Sequence, residues 1–526
     1  MSQRQSVTCQ FAIVALFVVG LVLRFWGLGR FNTLVFDEVY YAQFANNYWT
    51  RTPFFNAHPP LCQYLIAIGI WIASHLPIEQ STVNDLTGST LAPWSYRWMN
   101  ALIGAGIPPI VGGIAYQLSR QWNYALLTTL FMEVEGLFLV ESRYALSNVY
   151  IVFFGLVAQL CFLIALSVQK HQRWKYLALA GICFGATVAV KWNGLGFLLG
   201  TDLLLACGWI IKLFNAAWLK AYGPINSQQG TTRDFDKIPK PNPWQSPLQR
   251  LTDLTATECL LTLAIVPLVT YFLLWIPHLQ LNPEPGLWRI QTVMWRFHQD
   301  LGSGADIHPY CAPWYTWPLM LRPIVYFYET LTPATPAEIT QILPTPLPTQ
   351  LPQTYDVHGM GNPVLWWLSV VALGFLLLRL LVLAFVISWQ YISNPCSTNP
   401  DSTYSWKNQS VKVTQNQNHS IRLSPLNQFW LILYILVNWA ANFLPWIQIT
   451  RCVFLYHYMG ALVFAIMGCS WWIGQLIQNR RLPLKLVGVS VIILCMTAFL
   501  FWLPVYLGLP ISPDAWKVKM WFSSWI

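Results

Sequence analysis

Charge is what this chain has least of. Only 10% of its 526 residues are Asp, Glu, Lys or Arg, against 55% hydrophobic. Apolar runs recur at lengths that would cross a hydrocarbon core, which excludes an ordinary soluble protein. A CxxC pair is also missing. The 11 Cys are scattered, many inside apolar runs as Cys161, Cys183, Cys207 and Cys495 are, and read as neither a disulfide framework nor a zinc site. His298 and His308 form no recognisable metal-ligand motif with a nearby acid or Cys, so they read as satisfied polar histidines rather than zinc ligands. No internal repeat or inverted half-and-half symmetry is visible, which speaks against a transporter. The net charge of +10 forms no single basic face; the positive residues sit between hydrophobic runs and read as topology signals rather than a nucleic-acid footprint.

What is present is a succession of spans. The fold class expected is an all-α polytopic membrane protein with about eleven transmembrane helices and interfacial helices in its first outer loop. The spans read as 9–26, 99–118, 124–140, 149–168, 176–190, 195–214, 259–276, 363–389, 429–446, 453–477 and 486–506. Arg4 before the first favours a cytoplasmic N-terminus, and that run ends in Arg24-Phe-Trp-Gly rather than a small-residue cleavage site, so it reads as a retained helix. The run 60–73 is short for a span. The segment after it, 77–93, holds Glu79 and Asp85 but no Lys or Arg, unlike a cytoplasmic loop, so 60–73 is laid on the outer surface.

With that choice the basic loops fall inside: 215–253, the loop with Lys407, Lys412 and Arg422, and Asn479-Arg480-Arg481. The C-terminus falls outside. The sequons Asn408-Gln-Ser and Asn418-His-Ser lie in an inner loop and read as idle. The organisation is an N-terminal region 1–277 whose outer loop spans 28–96, an outer loop 278–362, and a C-terminal four-helix-type region 363–526.

Against this apolar background stands Phe36-Asp37-Glu38-Val39-Tyr40-Tyr41, at the outer mouth of the first span. An acidic pair there can cap a helix or solvate the interface. It can also do chemistry, because the same topology brings His58, Arg97, Arg143 and Lys191 to that face. A carboxylate facing cations at a membrane surface suits transfer from a lipid-phosphate donor: the acid accepts a proton from an incoming hydroxyl, and the cations stabilise the departing phosphate. Arg97 and Lys191 can equally be snorkelling anchors at span ends. Glu133 and Glu135 lie in the third span, where helical periodicity does not choose between them and either can lock helices together. The loop 278–362 concentrates Trp, Tyr and Pro around His298, His308, Trp317 and Arg322. Arg451 and His457 add a cation and a His near the end.

Taken together these stretches resemble the protein O-mannosyltransferases, membrane glycosyltransferases of the C type that use polyprenyl-phosphate mannose. The likeness rests on the acidic hexapeptide with His58-Pro-Pro-Leu61, Tyr96-Arg97, Glu141-Ser-Arg-Tyr-Ala-Leu146 and Val190-Lys-Trp-Asn-Gly-Leu195. It continues in His308-Pro-Tyr310, Pro313-Trp-Tyr-Thr-Trp-Pro-Leu-Met-Leu-Arg-Pro323, Gly361-Asn-Pro-Val-Leu-Trp-Trp367 and Arg451-Cys-Val-Phe-Leu-Tyr-His-Tyr458, and runs from about Arg24 to Ala515-Trp-Lys-Val-Lys-Met-Trp521. The resemblance implies eleven spans, an external C-terminus and an inverting transfer of mannose to Ser or Thr hydroxyls of translocated proteins. It implies Asp37 as the catalytic carboxylate, Glu38 beside it in acceptor or donor positioning, and Arg97 near the donor phosphate with Arg143 or Lys191. Tyr41, His58, Glu135, His308, Trp317, Arg322, Arg451 and His457 are further candidates for the substrate pocket.

With cations supplied by the protein, no cofactor is expected and a divalent metal is not required. The chain departs from the family pattern at Asn56 and Asn148, where an acid is usual, and at Cys62-Gln63, where Gly-Lys is usual. The outer loop is too short for a lumenal MIR domain, so the chain reads as bacterial, in the plasma (inner) membrane. Two rival readings are transfer of another lipid-linked sugar to a glycolipid, and a transporter. A transporter would hold its functional charges near the midplane, whereas these gather at one face.

Overall fold

The computed structural model describes residues 3–77, 83–84, 89–222, 246–331, 352–393 and 423–526. The basic loop residues Arg233, Lys237 and Lys240, those at Lys407, Lys412 and Arg422, the acids Glu79 and Asp85, and both sequons lie outside the described residues.

The N-terminal half runs α1 (Gln3–Phe25), α2 (Glu38–Thr50), α3 (Leu61–Ser74), a short hairpin β1 (Val83–Asn84) and β2 (Ser89–Thr90), α4 (Pro93–Ser119), α5 (Trp122–Glu133), α6 (Gly136–Glu141), α7 (Asn148–Ser167), α8 (Lys170–Val190) and α9 (Leu195–Tyr222). Then come α10 (Ala256–Leu260), a π turn into α11 (Val266–Leu273), α12 (Ile276–Leu281) and α13 (Leu287–Asp300). The antiparallel hairpin of β3 (Ile324–Leu331) and β4 (Gln353–Gly359) precedes four helices: α14 (Pro363–Ser393), α15 (Pro425–Phe443), α16 (Met459–Ile477) and α17 (Leu482–Leu507). A short α18 (Pro513–Lys519) closes the chain.

Among the described residues nine helices are long and apolar enough to cross a membrane. Their outward faces carry Val14, Val18, Val22, Leu378, Leu381, Phe385, Ile493 and Leu500, all exposed, as lipid-facing helices require. The chain is an all-α polytopic membrane protein. Two of the eleven expected spans fall outside that set. α8 opens with Lys170-His-Gln-Arg-Trp-Lys175 and is less apolar. The run 124–140, expected as one helix, is broken at Val134: Glu135 adopts an extended conformation and its Oε2 accepts from the N–H of Phe138 at 2.8 Å, starting α6 afresh.

The run expected at 60–73 is α3. Its 14 residues rise about 21 Å, short of the roughly 30 Å of a hydrocarbon core. It is pinned by two indoles, Trp49 of α2 donating to the Ala67 carbonyl at 2.8 Å and Trp98 of α4 donating to that of Gly69 at 2.9 Å. The reading of the cysteines is corrected: Cys311 and Cys452 form a disulfide, with Cα atoms 5.2 Å apart. Their separation of 141 residues gives no local spacing to read, and only the fold brings the two loops together.

Candidate active site

The turn into α2 builds the site. Phe36 has a left-handed φ of 47°, a conformation costing an L-residue about 1–2 kcal/mol. Its ring is wedged against those of His308, Tyr326, Phe454 and Tyr456, at centroid distances of 5.3–6.0 Å. Asp37 follows at the N-cap of α2, yet its side chain makes no capping hydrogen bond. Instead the Tyr456 hydroxyl donates to its Oδ2 at 3.3 Å. Asp37 is half-buried. Burial pushes its carboxyl above the usual range, and the Lys191 ammonium, the Tyr456 hydrogen bond and His308 partly offset this. Tyr41, one turn on, is buried, accepts from the Ser147 hydroxyl at 3.0 Å and faces Asp37.

Glu38 points elsewhere. It is wholly buried, accepts from the N–H groups of Val35 and Ala145, and pairs with Arg97 at 2.7 Å. The expectation that Arg97 holds a donor phosphate meets a guanidinium with no donor to spare. Nε and one Nη2 hydrogen reach Glu38, the other Nη2 hydrogen the Thr33 carbonyl, and Nη1 the carbonyls of Leu28 and Phe31. Arg143 is engaged on one side: its Nη1 reaches the carbonyls of Leu23, Arg24 and Trp26, where α1 ends and leaves acceptors without helical partners, while its buried Nε has no hydrogen-bond partner among the described residues. Both cations belong to the scaffold that holds the Asp37 loop.

Two further cations make no ion pair among the described residues, Lys191 and Arg451. Lys191 ends α8 in an extended conformation. Its ammonium lies 5.7 Å from the Tyr456 ring centre and faces Asp37, Arg451 and Glu141, with neither hydrogen bond nor ion pair among the described residues. Burial lowers it to about 8; Asp37 holds it up and Arg451 pushes it down. Among the described residues Arg451 makes one hydrogen bond, to the carbonyl of its neighbour Cys452 at 3.1 Å. His58 and His298 stack beside them at 5.0 Å. Burial lowers both, and the cations Lys191 and Arg451 lower them further, His298 to about 4, so each is a neutral imidazole near pH 7. Asp37 and Glu141 thus face Lys191, with Arg451 and neutral imidazoles beside that lysine, an arrangement that can bind an anion and take up a proton.

The remaining candidates are placed more widely. His308 faces Asp37, with its ring 5.5 Å from that of Phe36. His457 is buried against Trp317 and Trp446, and its Nδ1 lies 3.0 Å from the Phe454 carbonyl. Trp317 is fully buried and donates to the Ala312 carbonyl, so it supports the loop. Arg322 reaches the carbonyls of Pro309, Ser524 and Ile526 and ties that loop to the C-terminus. Glu135 is not brought to Asp37: it caps α6, beside Gly361.

Sequence reasoning missed Tyr456, Tyr326 and Glu141. Glu141 is wholly buried, accepts from the Tyr326 hydroxyl and from Asn148 Nδ2 at 3.1 Å, and faces Asp37 and Lys191. Asn148, where the family pattern has an acid, thus donates to Glu141. The signal available was an acid at the end of an apolar run, directly before Ser142-Arg143. Among the described residues no group of three His, Cys, Asp or Glu is arranged to hold a metal ion.

Fold and site together define a multi-pass membrane protein with an acid and unpaired cations gathered between its helical bundle and the 278–362 loop. The chain belongs to the dolichyl-phosphate-mannose-protein mannosyltransferase family, whose model matches residues 14–278, while the C-terminal four TMM region of protein-O-mannosyltransferase matches 285–525. It is 25% identical to a polyprenol-phosphate-mannose--protein mannosyltransferase of Mycolicibacterium smegmatis, over 96% of this chain and 90% of that protein. A protein of the same name from Corynebacterium glutamicum is 24% identical over 98% and 93%. Among solved structures it is similar to the Saccharomyces cerevisiae protein O-mannosyltransferase Pmt1-Pmt2 complex bound to the sugar donor. That match has a TM-score of 0.67 and 14% identity, and covers 99% of this chain and 93% of that one.

Proposed function

We propose that this chain transfers mannose, with inversion, from a polyprenyl-phosphate mannose donor to Ser or Thr hydroxyls of proteins at the outer face of a bacterial plasma membrane. Asp37 accepts the proton as the hydroxyl oxygen attacks the anomeric carbon. The bond from that carbon to the phosphate oxygen breaks, and the phosphate leaves with its charge held by Lys191 and Arg451. His58, neutral beside these cations, donates one hydrogen bond to the phosphate, while His298, whose Nε2–H is spent on the Ala57 carbonyl, stacks behind it. Glu38 and Arg97 hold the turn that aims Asp37, and Arg143 anchors that turn to the end of α1.

The single observation that carries this reading is an N-cap acid that does not cap its helix and instead faces Lys191, which has neither hydrogen bond nor ion pair among the described residues and has Arg451 beside it. The relatives' names supply the sugar and the acceptor class. The Cys311–Cys452 disulfide supports the outer location, because such bonds persist in oxidising compartments. The test uses membranes holding the chain, radiolabelled polyprenyl-phosphate mannose and a Ser/Thr-rich peptide. Label should appear on the peptide through a linkage released by β-elimination. Label on a glycolipid instead, or on nothing, would overturn the proposal.

A further inference from the structure

The covalent tie between Cys311 and Cys452 has no part in the chemistry above, yet it sits against both halves of the site. Neither residue lies in a helix or strand. Cys311 is three residues from His308, which faces Asp37; Cys452 directly follows Arg451, which faces Lys191. The one hydrogen bond of the Arg451 guanidinium among the described residues runs to the carbonyl of Cys452, so it is set by its own backbone rather than by an outside partner.

That backbone is irregular coil, and its anchors converge on Cys452. The Cys452 N–H donates to the Gly302 carbonyl at 2.8 Å, and Ala312 N–H donates to the Val453 carbonyl at 2.7 Å. The disulfide clamps the same two strands of coil together. Cys311 is partly exposed and Cys452 buried.

We propose that the Cys311–Cys452 disulfide is a redox-sensitive positioning device for the donor site, holding Arg451 opposite Lys191 so that one phosphate can bridge both cations. A dithiol reduces it in a balanced exchange. The reductant is oxidised to its own disulfide, and its two electrons and two protons pass to the cysteines as thiols. With the clamp open, Arg451 is held by backbone hydrogen bonds alone and the phosphate loses its second cation. The base is untouched, so the effect falls on donor binding and on the departure of the phosphate, which Arg451 serves alike. This inference rests on the reading of Arg451 as a phosphate ligand.

The test compares the purified full chain oxidised, reduced with dithiothreitol, and reoxidised, alongside the double variant Cys311→Ser, Cys452→Ser. Two readouts are needed: donor KM and kcat for transfer, and binding of polyprenyl phosphate followed by Trp fluorescence, which requires no turnover. Reduction and the double variant should each raise the polyprenyl phosphate Kd about tenfold and lower kcat/KM for the donor by at least as much. Reoxidation should restore the wild type, and dithiothreitol should leave the double variant unchanged. Unchanged affinity after reduction verified by thiol mass labelling, or a loss confined to kcat, would overturn the inference. Failure of the oxidised wild type to transfer mannose would strike the proposed function instead, and the phosphate-binding comparison would still decide the role of the disulfide.

Discussion

Asp37 and Glu38 are neighbours in sequence, and the rotation of about 100° per helical residue sends their side chains to different surroundings. Glu38 enters a fully satisfied buried pair with Arg97, whereas Asp37 stays half-buried against Tyr456 and Lys191. Removing one member of a buried pair strands the other charge, at a cost of about 3–5 kcal/mol. Arg97→Ala should therefore lower the unfolding midpoint steeply, as seen in a detergent thermal melt. Lys191→Ala should leave the melt nearly unchanged and raise the donor KM. The pH dependence follows from the same groups. Lys191 carries its charge below about 8 and loses it as pH rises through that value, while the Asp37 carboxyl must shed its proton to act, above the ordinary carboxylate range. Transfer should fall on both sides of neutrality, and Lys191→Arg should move the alkaline limb upward, because a guanidinium stays charged. An alkaline limb unmoved in Lys191→Arg would show that another group titrates there.

At the scale of elements, legibility followed sequence distance. Asp37 stood out because acids are rare in this chain, and the spans stood out because apolar runs are long. Three features needed the fold itself. The Arg97 network draws on α4, on α2 and on carbonyls of the 28–33 loop; the disulfide joins loops 141 residues apart; and Glu141 meets Tyr326 only through the β3–β4 hairpin. The break between α5 and α6 shows a subtler limit, since apolar periodicity continues through it and only the capping geometry of Glu135 marks it. A cap of this kind contributes about 0.5–2 kcal/mol. Glu135→Ala should accordingly lower stability by about 1 kcal/mol and leave the donor KM at the wild-type value, whereas a pocket-lining role would change KM.

At the scale of the whole molecule, the site is assembled from both halves of the chain: Asp37 and Lys191 from the first, Tyr456 and Arg451 from the second. Arg322 links the 278–362 loop to the carbonyls of Ser524 and Ile526, so the C-terminus shares a face with the site. A tag fused after Ile526 should be reached by antibody on intact spheroplasts, and protection of that tag would place the site on the other side. The short α3 packs on α2 and α4 through the Trp49 and Trp98 indoles. The most direct measurement is single-turnover mannose transfer by Asp37→Asn at saturating donor, alongside wild type. The expected result is a rate reduced by at least about a hundredfold, with polyprenyl phosphate binding and thermal midpoint close to wild type. Transfer at the wild-type rate would contradict the assignment of Asp37 as the base.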